Sequence, residues 1–119
     1  MDIELLYYEE CPSHEKALER LRSALDEEGL DAPVRVVEVE TDDQAEGLRF
    51  VGSPTIRIDR RDIEQPQPGP PYRLACRAYI LEDGRISPLP SHAMVRRALR
   101  AAISTARKEE PSKQRGGVQ

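Results

Sequence analysis

Apolar positions along the chain follow two periods, and the changes between them mark out the elements. Ile3 to Tyr8 is a short apolar run of strand-forming residues. After Pro12 the period becomes helical: Ala17, Leu18, Leu21, Ala24 and Leu25 recur with Glu, Lys and Arg between them. Pro12 suits a first helical turn, where its missing N–H costs nothing, and Gly29 stands where a closing glycine is expected. Val34 to Val39 is β-branched and reads as a second strand. Thr41, with Gln44 three residues on, is a capping-box signature opening a short helix through Leu48 that Gly47 weakens. Ile56 and Ile58 alternate with Arg57 and Asp59, the pattern of a half-buried strand.

Arg60 to Tyr72 reads as a loop, since Pro66, Pro68, Pro70 and Pro71 oppose regular structure. Pro68 and Pro71 also have PxxP spacing, but a loop is the favoured reading. Leu74 to Leu81 reads as a strand, Asp83-Gly84 as a hairpin turn and Arg85 to Ser87 as the short return strand. Ser91 caps a last helix whose stripe is Val95, Ala98, Leu99, Ala102 and Ile103, while Arg96, Arg97 and Arg100 form a solvated face and His92 a surface position. The order is β-α-β-α-β-β-α. Its first strand–helix–strand unit requires a right-handed crossover and two parallel strands. The expected fold class is therefore α/β, a four-stranded mixed sheet flanked by helices. Residues 1–106 form the domain; 107–119, almost without apolar residues, form a disordered tail.

Composition narrows the function. The 119 residues are 38% hydrophobic and 34% charged, with no tryptophan, enough for one domain with a small core. A net charge of −4, with arginines scattered among carboxylates, does not suit non-specific nucleic-acid binding. No apolar run is long enough to span a membrane, and the acidic start Met1-Asp2-Ile3-Glu4 is not read as a secretory signal. The 2 cysteines are too few for a disulfide scaffold or a four-cysteine zinc site, so a cytoplasmic setting is expected.

Candidate chemistry centres on Cys11, between the first strand and the first helix. Ligands collect at the carboxyl ends of parallel strands, and a helix's first turn has free N–H groups that favour an anion. A thiolate there should be favoured, with a thiol pKa below the ordinary ~8.5. His14, three residues on, would share that side of the turn, as a cation that lowers the pKa or as a proton shuttle. Glu9 and Glu10 oppose this unless they face solvent. Cys11 and His14 are half a zinc site, and no metal is expected.

Cys11-Pro12-Ser13-His14 after a strand, with Gly52-Ser53-Pro54-Thr55-Ile56 entering another, resembles the thioredoxin-like superfamily over about residues 3 to 104. The resemblance implies that Cys11 is the nucleophile and Pro54 a cis proline facing it across a substrate groove. It also implies that the backbone of Ser53 pairs with bound substrate, with Pro12, Ser13 and Thr55 lining the groove. His14 replaces the second cysteine of C-x-x-C, so a dithiol cycle within the motif cannot run. Monothiol exchange remains, with a mixed disulfide at Cys11 resolved by a small thiol or by Cys76. The implied partner is a small thiol or a disulfide-bearing protein, without an organic cofactor. CPSHE, GSPTI and YRLACRAY together also resemble a group of small bacterial thioredoxin-like proteins, some loosely related to organomercurial lyase, so two-thiol capture of a soft metal or mercurial is an alternative. A non-catalytic binding module is another.

Simple topology starts the strand of Cys76 at the sheet end opposite Cys11, beyond the roughly 7 Å Cα separation that permits bridging. Cys76 is therefore expected to be a buried structural cysteine. Tyr7 and Tyr8 alternate faces, so one belongs to the core and the other to the groove.

Overall fold

The computed structural model describes the backbone of residues 1–64 and 72–118, and side chains as far as residue 106. Its elements are β1 (Ile3–Tyr7), α1 (His14–Glu27), β2 (Val34–Glu38), α2 (Asp42–Leu48), β3 (Thr55–Ile58), β4 (Arg61–Asp62), β5 (Tyr79–Ile80), β6 (Ile86–Ser87) and α3 (His92–Val118). β1 pairs parallel with β2 and antiparallel with β3, which pairs antiparallel with β4. The result is a four-stranded mixed sheet in the order β2-β1-β3-β4, within a mixed α/β fold.

Side-chain alternation along β1 divides the core in two. Ile3 and Leu5, with Ile56 and Ile58 of β3, pack against Ala17, Leu21, Ala24 and Leu25 of α1 and Val95 and Leu99 of α3. Leu6 points the other way and packs with Val39, Ala45 and Phe50 on the side of α2. Each large side chain buried in this way contributes roughly 1.5–3 kcal/mol.

Local signals fix the helix ends. Pro12 lies just outside α1, whose N-cap is Ser13. At the other end Leu30 N–H donates to Leu25 O (2.9 Å) and Gly29 N–H to Asp26 O (3.1 Å). Gly29, at φ 69°, supplies the left-handed residue that this double closure requires. Thr41 and Gln44 form both bonds of the capping box on α2. Ser91 Oγ accepts from Met94 N–H (3.1 Å) and so caps α3.

Several expectations change. The fourth strand of the sheet is Arg61–Asp62, inside the stretch read as loop, and not Leu74–Leu81. Only Tyr79–Ile80 of the latter run is strand, and it forms a separate two-stranded hairpin with Ile86–Ser87. Pro66 to Pro71, with the PxxP spacing, lie outside the described residues. Arg96, Arg97 and Arg100 are not merely solvated. Arg96 and Arg100 grip Glu28 at the end of α1 (2.8 and 3.0 Å), and Arg97 reaches Glu82 (3.5 Å). His92 Nε2 meets Glu27 (2.7 Å), so these side chains tie α3 to α1 above their apolar contact. No helix among the described residues is long and apolar enough to cross a membrane.

Candidate functional site

The site lies at the carboxyl end of β1. Because β3 runs antiparallel to β1, its first residue, Thr55, pairs with Leu6 near that end. The Gly52–Thr55 segment and the turn after Tyr7 are therefore neighbours. Tyr8 N–H donates to Ser53 Oγ (2.9 Å) and joins the two segments directly. Cys11 N–H closes the turn on Tyr8 O (3.0 Å).

The second cysteine is here too. Cys11 and Cys76 form a disulfide across 65 residues, with their Cα atoms 5.8 Å apart. This corrects the expectation that Cys76 lies at the far end of the sheet. That placement assumed that Leu74–Leu81 pairs along β3. Instead β4 takes that edge, and the returning chain crosses the beginning of β3. Leu74 N–H reaches Asp42 Oδ1 at the start of α2 (3.0 Å), and Cys76 forms an isolated parallel bridge with Ser53.

The residues flanking Cys76 are held by an interior network. Ser53 N–H donates to Ala75 O (2.8 Å), and Arg77 N–H donates to Ser53 O (2.9 Å). Gly52, at φ 135°, makes the approach possible: a Cβ there would sit 2.8 Å from Arg77 Cα. Arg77 places both terminal nitrogens on Asp62, NH1 on Oδ2 at 3.0 Å and NH2 on Oδ1 at 2.9 Å. Their side chains are 5% and 8% exposed, so this ion pair is sheltered from water. Arg77 also donates to Glu64 O (2.8 Å) and Thr55 Oγ1 (3.2 Å), and it lies over the Tyr79 ring at 4.4 Å. Thr55 Oγ1 donates in turn to Gly52 O (2.6 Å), and Tyr79 Oη donates to Pro54 O (2.7 Å). Burial holds the Tyr79 hydroxyl well above its ordinary pKa, with the charge of Arg77 pulling against it, so this donor stays protonated.

Each sequence-predicted residue can now be placed. The Ser53–Pro54 peptide is cis. Ser53, Pro54 and Thr55 are brought beside the cysteines but are buried, and the chain's own residues 75 to 77 use the backbone N–H and C=O of Ser53. Pro12 is exposed and Ser13 half-buried. Accessibility is the reverse of expectation: Cys11 is 2% exposed, whereas Cys76 is exposed. The Cys11 sulfur is bonded to Cys76, so its thiolate can exist only after reduction.

His14 Nδ1 lies 3.0 Å from Cys11 O. A carbonyl oxygen only accepts, so Nδ1 carries a proton and donates it. The ring stacks on Tyr7 with centroids 4.3 Å apart. His14 thus steadies the backbone of Cys11, and its Nδ1 is committed to that bond. Glu9 and Glu10 are exposed. Tyr7 packs against the α1 and α3 side of the core and Tyr8 against the α2 side, so the two take opposite faces but both meet the core, in place of the expected division between core and groove. Among the described residues no group of three or more His, Cys, Asp or Glu could hold a metal ion. A groove of about 410 Å³ between β4 and α3, lined by Arg61, Ala98 and Ala101, shares Asp62 with this network but includes neither cysteine.

Sequence reasoning missed Arg77, Asp62, Tyr79 and Gly52. One signal was present: an arginine inside the apolar run LACRAY needs a carboxylate if that run is buried. Compared with protein-family models, curated proteins and solved structures, the chain matches none of them.

Proposed function

We propose that this is a thioredoxin-like protein of thiol–disulfide exchange, whose redox couple is the pair Cys11 and Cys76 rather than a motif of adjacent thiols. The observation that carries this reading is the meeting of the chain's 2 cysteines, 65 residues apart, at the carboxyl end of β1 with one buried and one exposed. A four-stranded mixed sheet, Cys11 ahead of α1 and the Ser53–Pro54 segment bridged to Cys76 support the thioredoxin-like assignment. The chemistry balances with a small thiol as co-reactant. Two thiols reduce the Cys11–Cys76 bond, giving two protein thiols and one small-molecule disulfide. The reverse direction reduces a disulfide substrate and re-forms the protein bond.

A binding module with a structural bridge is the second reading, favoured by the buried Arg77–Asp62 pair that holds the Cys76 segment independently of the sulfurs. Turnover of a small disulfide by glutathione separates the two. The exchange reading expects the wild-type protein to accelerate turnover and replacement of both Cys11 and Cys76 by serine to abolish the acceleration. A rate equal to the uncatalysed one supports the binding module and overturns exchange.

A further inference from the structure

We infer that Cys76 is the sulfur attacked by external thiols and that Cys11 is the internal leaving and resolving thiolate, the inverse of the roles that a C-x-x-C reading assigns to the helix-start cysteine. This rests on the exchange reading above and gives it a direction.

Two features converge. Access comes first: thiol–disulfide exchange requires an incoming thiolate to reach one sulfur, and Cys76 is exposed while Cys11 is 2% exposed. The second is the leaving group. The sulfur that departs as the better-stabilised anion leaves faster, and Cys11 lies two residues ahead of Ser13, the N-cap of α1, whose first-turn N–H groups favour negative charge.

The step is balanced. A small thiolate forms a bond to Cys76 Sγ as the Cys76–Cys11 bond breaks, and the electron pair leaves on Cys11 Sγ. A second small thiolate then attacks the small-molecule sulfur, releasing its disulfide and leaving the Cys76 thiolate. In the opposite direction Cys76 attacks a disulfide, and Cys11 resolves the mixed disulfide by attacking Cys76 Sγ. Ser53 and the Arg77–Asp62 pair hold the Cys76 segment through contacts that do not involve sulfur. The two sulfurs therefore remain neighbours while the bond is open, and resolution stays intramolecular.

The test uses the oxidised wild-type protein. Reduced glutathione is added, free thiols are alkylated after seconds, and tryptic peptides are weighed. Cleavage at Lys16 isolates the Cys11 peptide, and cleavage at Arg73 and Arg77 isolates Leu74–Arg77 with Cys76. The expected one-to-one mixed disulfide carries glutathione on Cys76 and the alkyl group on Cys11, in roughly tenfold excess over the reverse. Glutathione found mainly on Cys11 overturns the assigned polarity and leaves exchange standing. A protein that reacts with glutathione only after unfolding overturns the exchange reading itself. Cys11→Ser supplies a second measurement: its glutathione adduct at Cys76, prepared with oxidised glutathione and freed of small thiols, should persist, whereas the wild-type adduct releases glutathione as the Cys11–Cys76 bond re-forms; release from the variant at the wild-type rate refutes the role given to Cys11.

Discussion

Replacing Cys76 with serine removes a crosslink while disturbing little else, because the residue is exposed and its neighbours are held by Ser53 and Asp62. The cost should therefore arise mainly in the unfolded chain. A closed loop with ends 65 residues apart restricts that ensemble by about 4 kcal/mol in the chain-entropy description. For a domain of this size 1 kcal/mol corresponds to about 4 °C, so loss of the bond should lower Tm by roughly 15 °C. The assay compares urea unfolding of the oxidised protein, the dithiothreitol-reduced protein and Cys76→Ser. The last two should coincide within about 0.5 kcal/mol, with steeper urea dependence than the oxidised form because their unfolded chains expose more surface. An oxidised protein no more stable than the variant refutes the loop argument. A variant that unfolds in the absence of urea refutes the claim that the interior network holds residues 75 to 77 without the sulfurs.

Asp62→Asn leaves Arg77 charged, buried and short of its carboxylate; a loss of roughly 3–5 kcal/mol in urea unfolding is expected, and a loss below about 1 kcal/mol would show that water reaches the pair. Gly52→Ala puts a Cβ against the backbone of Arg77, so the variant should either lose stability by more than about 2 kcal/mol or fail to form the disulfide, as thiol titration would reveal. Hydrogen bonding from Arg96 leads the interactions that hold the Glu28 carboxylate below its ordinary pKa. Its contribution to stability is thus present above the ordinary carboxylate value and is lost as pH falls through the lowered one. Stability should decline between about pH 5 and pH 3, and Glu28→Gln should flatten that decline in urea titrations; an unchanged slope in the variant would refute it.

What could be read in advance depended on the range of the interaction. The α1 stripe, Gly29, the capping box on Thr41 and the Ser91 cap are encoded within a few residues of each other, and each stands where the sequence places it. The half-buried strand at Ile56 and Ile58 was legible for the same reason. Arg61–Asp62 was not, since two residues cannot display a period. Leu74 to Leu81 has strand composition, but strand preference reflects what surrounds a residue, and here Arg77 is drawn into the interior by Asp62, 15 positions earlier. The path of that segment decides where Cys76 stands, so the half of the site on Cys11 could be anticipated and the half on Cys76 could not.

Ser53 illustrates a wider consequence. A visiting peptide docks onto a strand edge by borrowing unpaired main-chain groups, and at this position Ala75 and Arg77 have already claimed them. Recognition here can make no use of strand addition at Ser53. On the exchange reading proposed above, a reactant at Cys76 would be selected by its size, its charge and its own sulfur chemistry and not by main-chain pairing at Ser53.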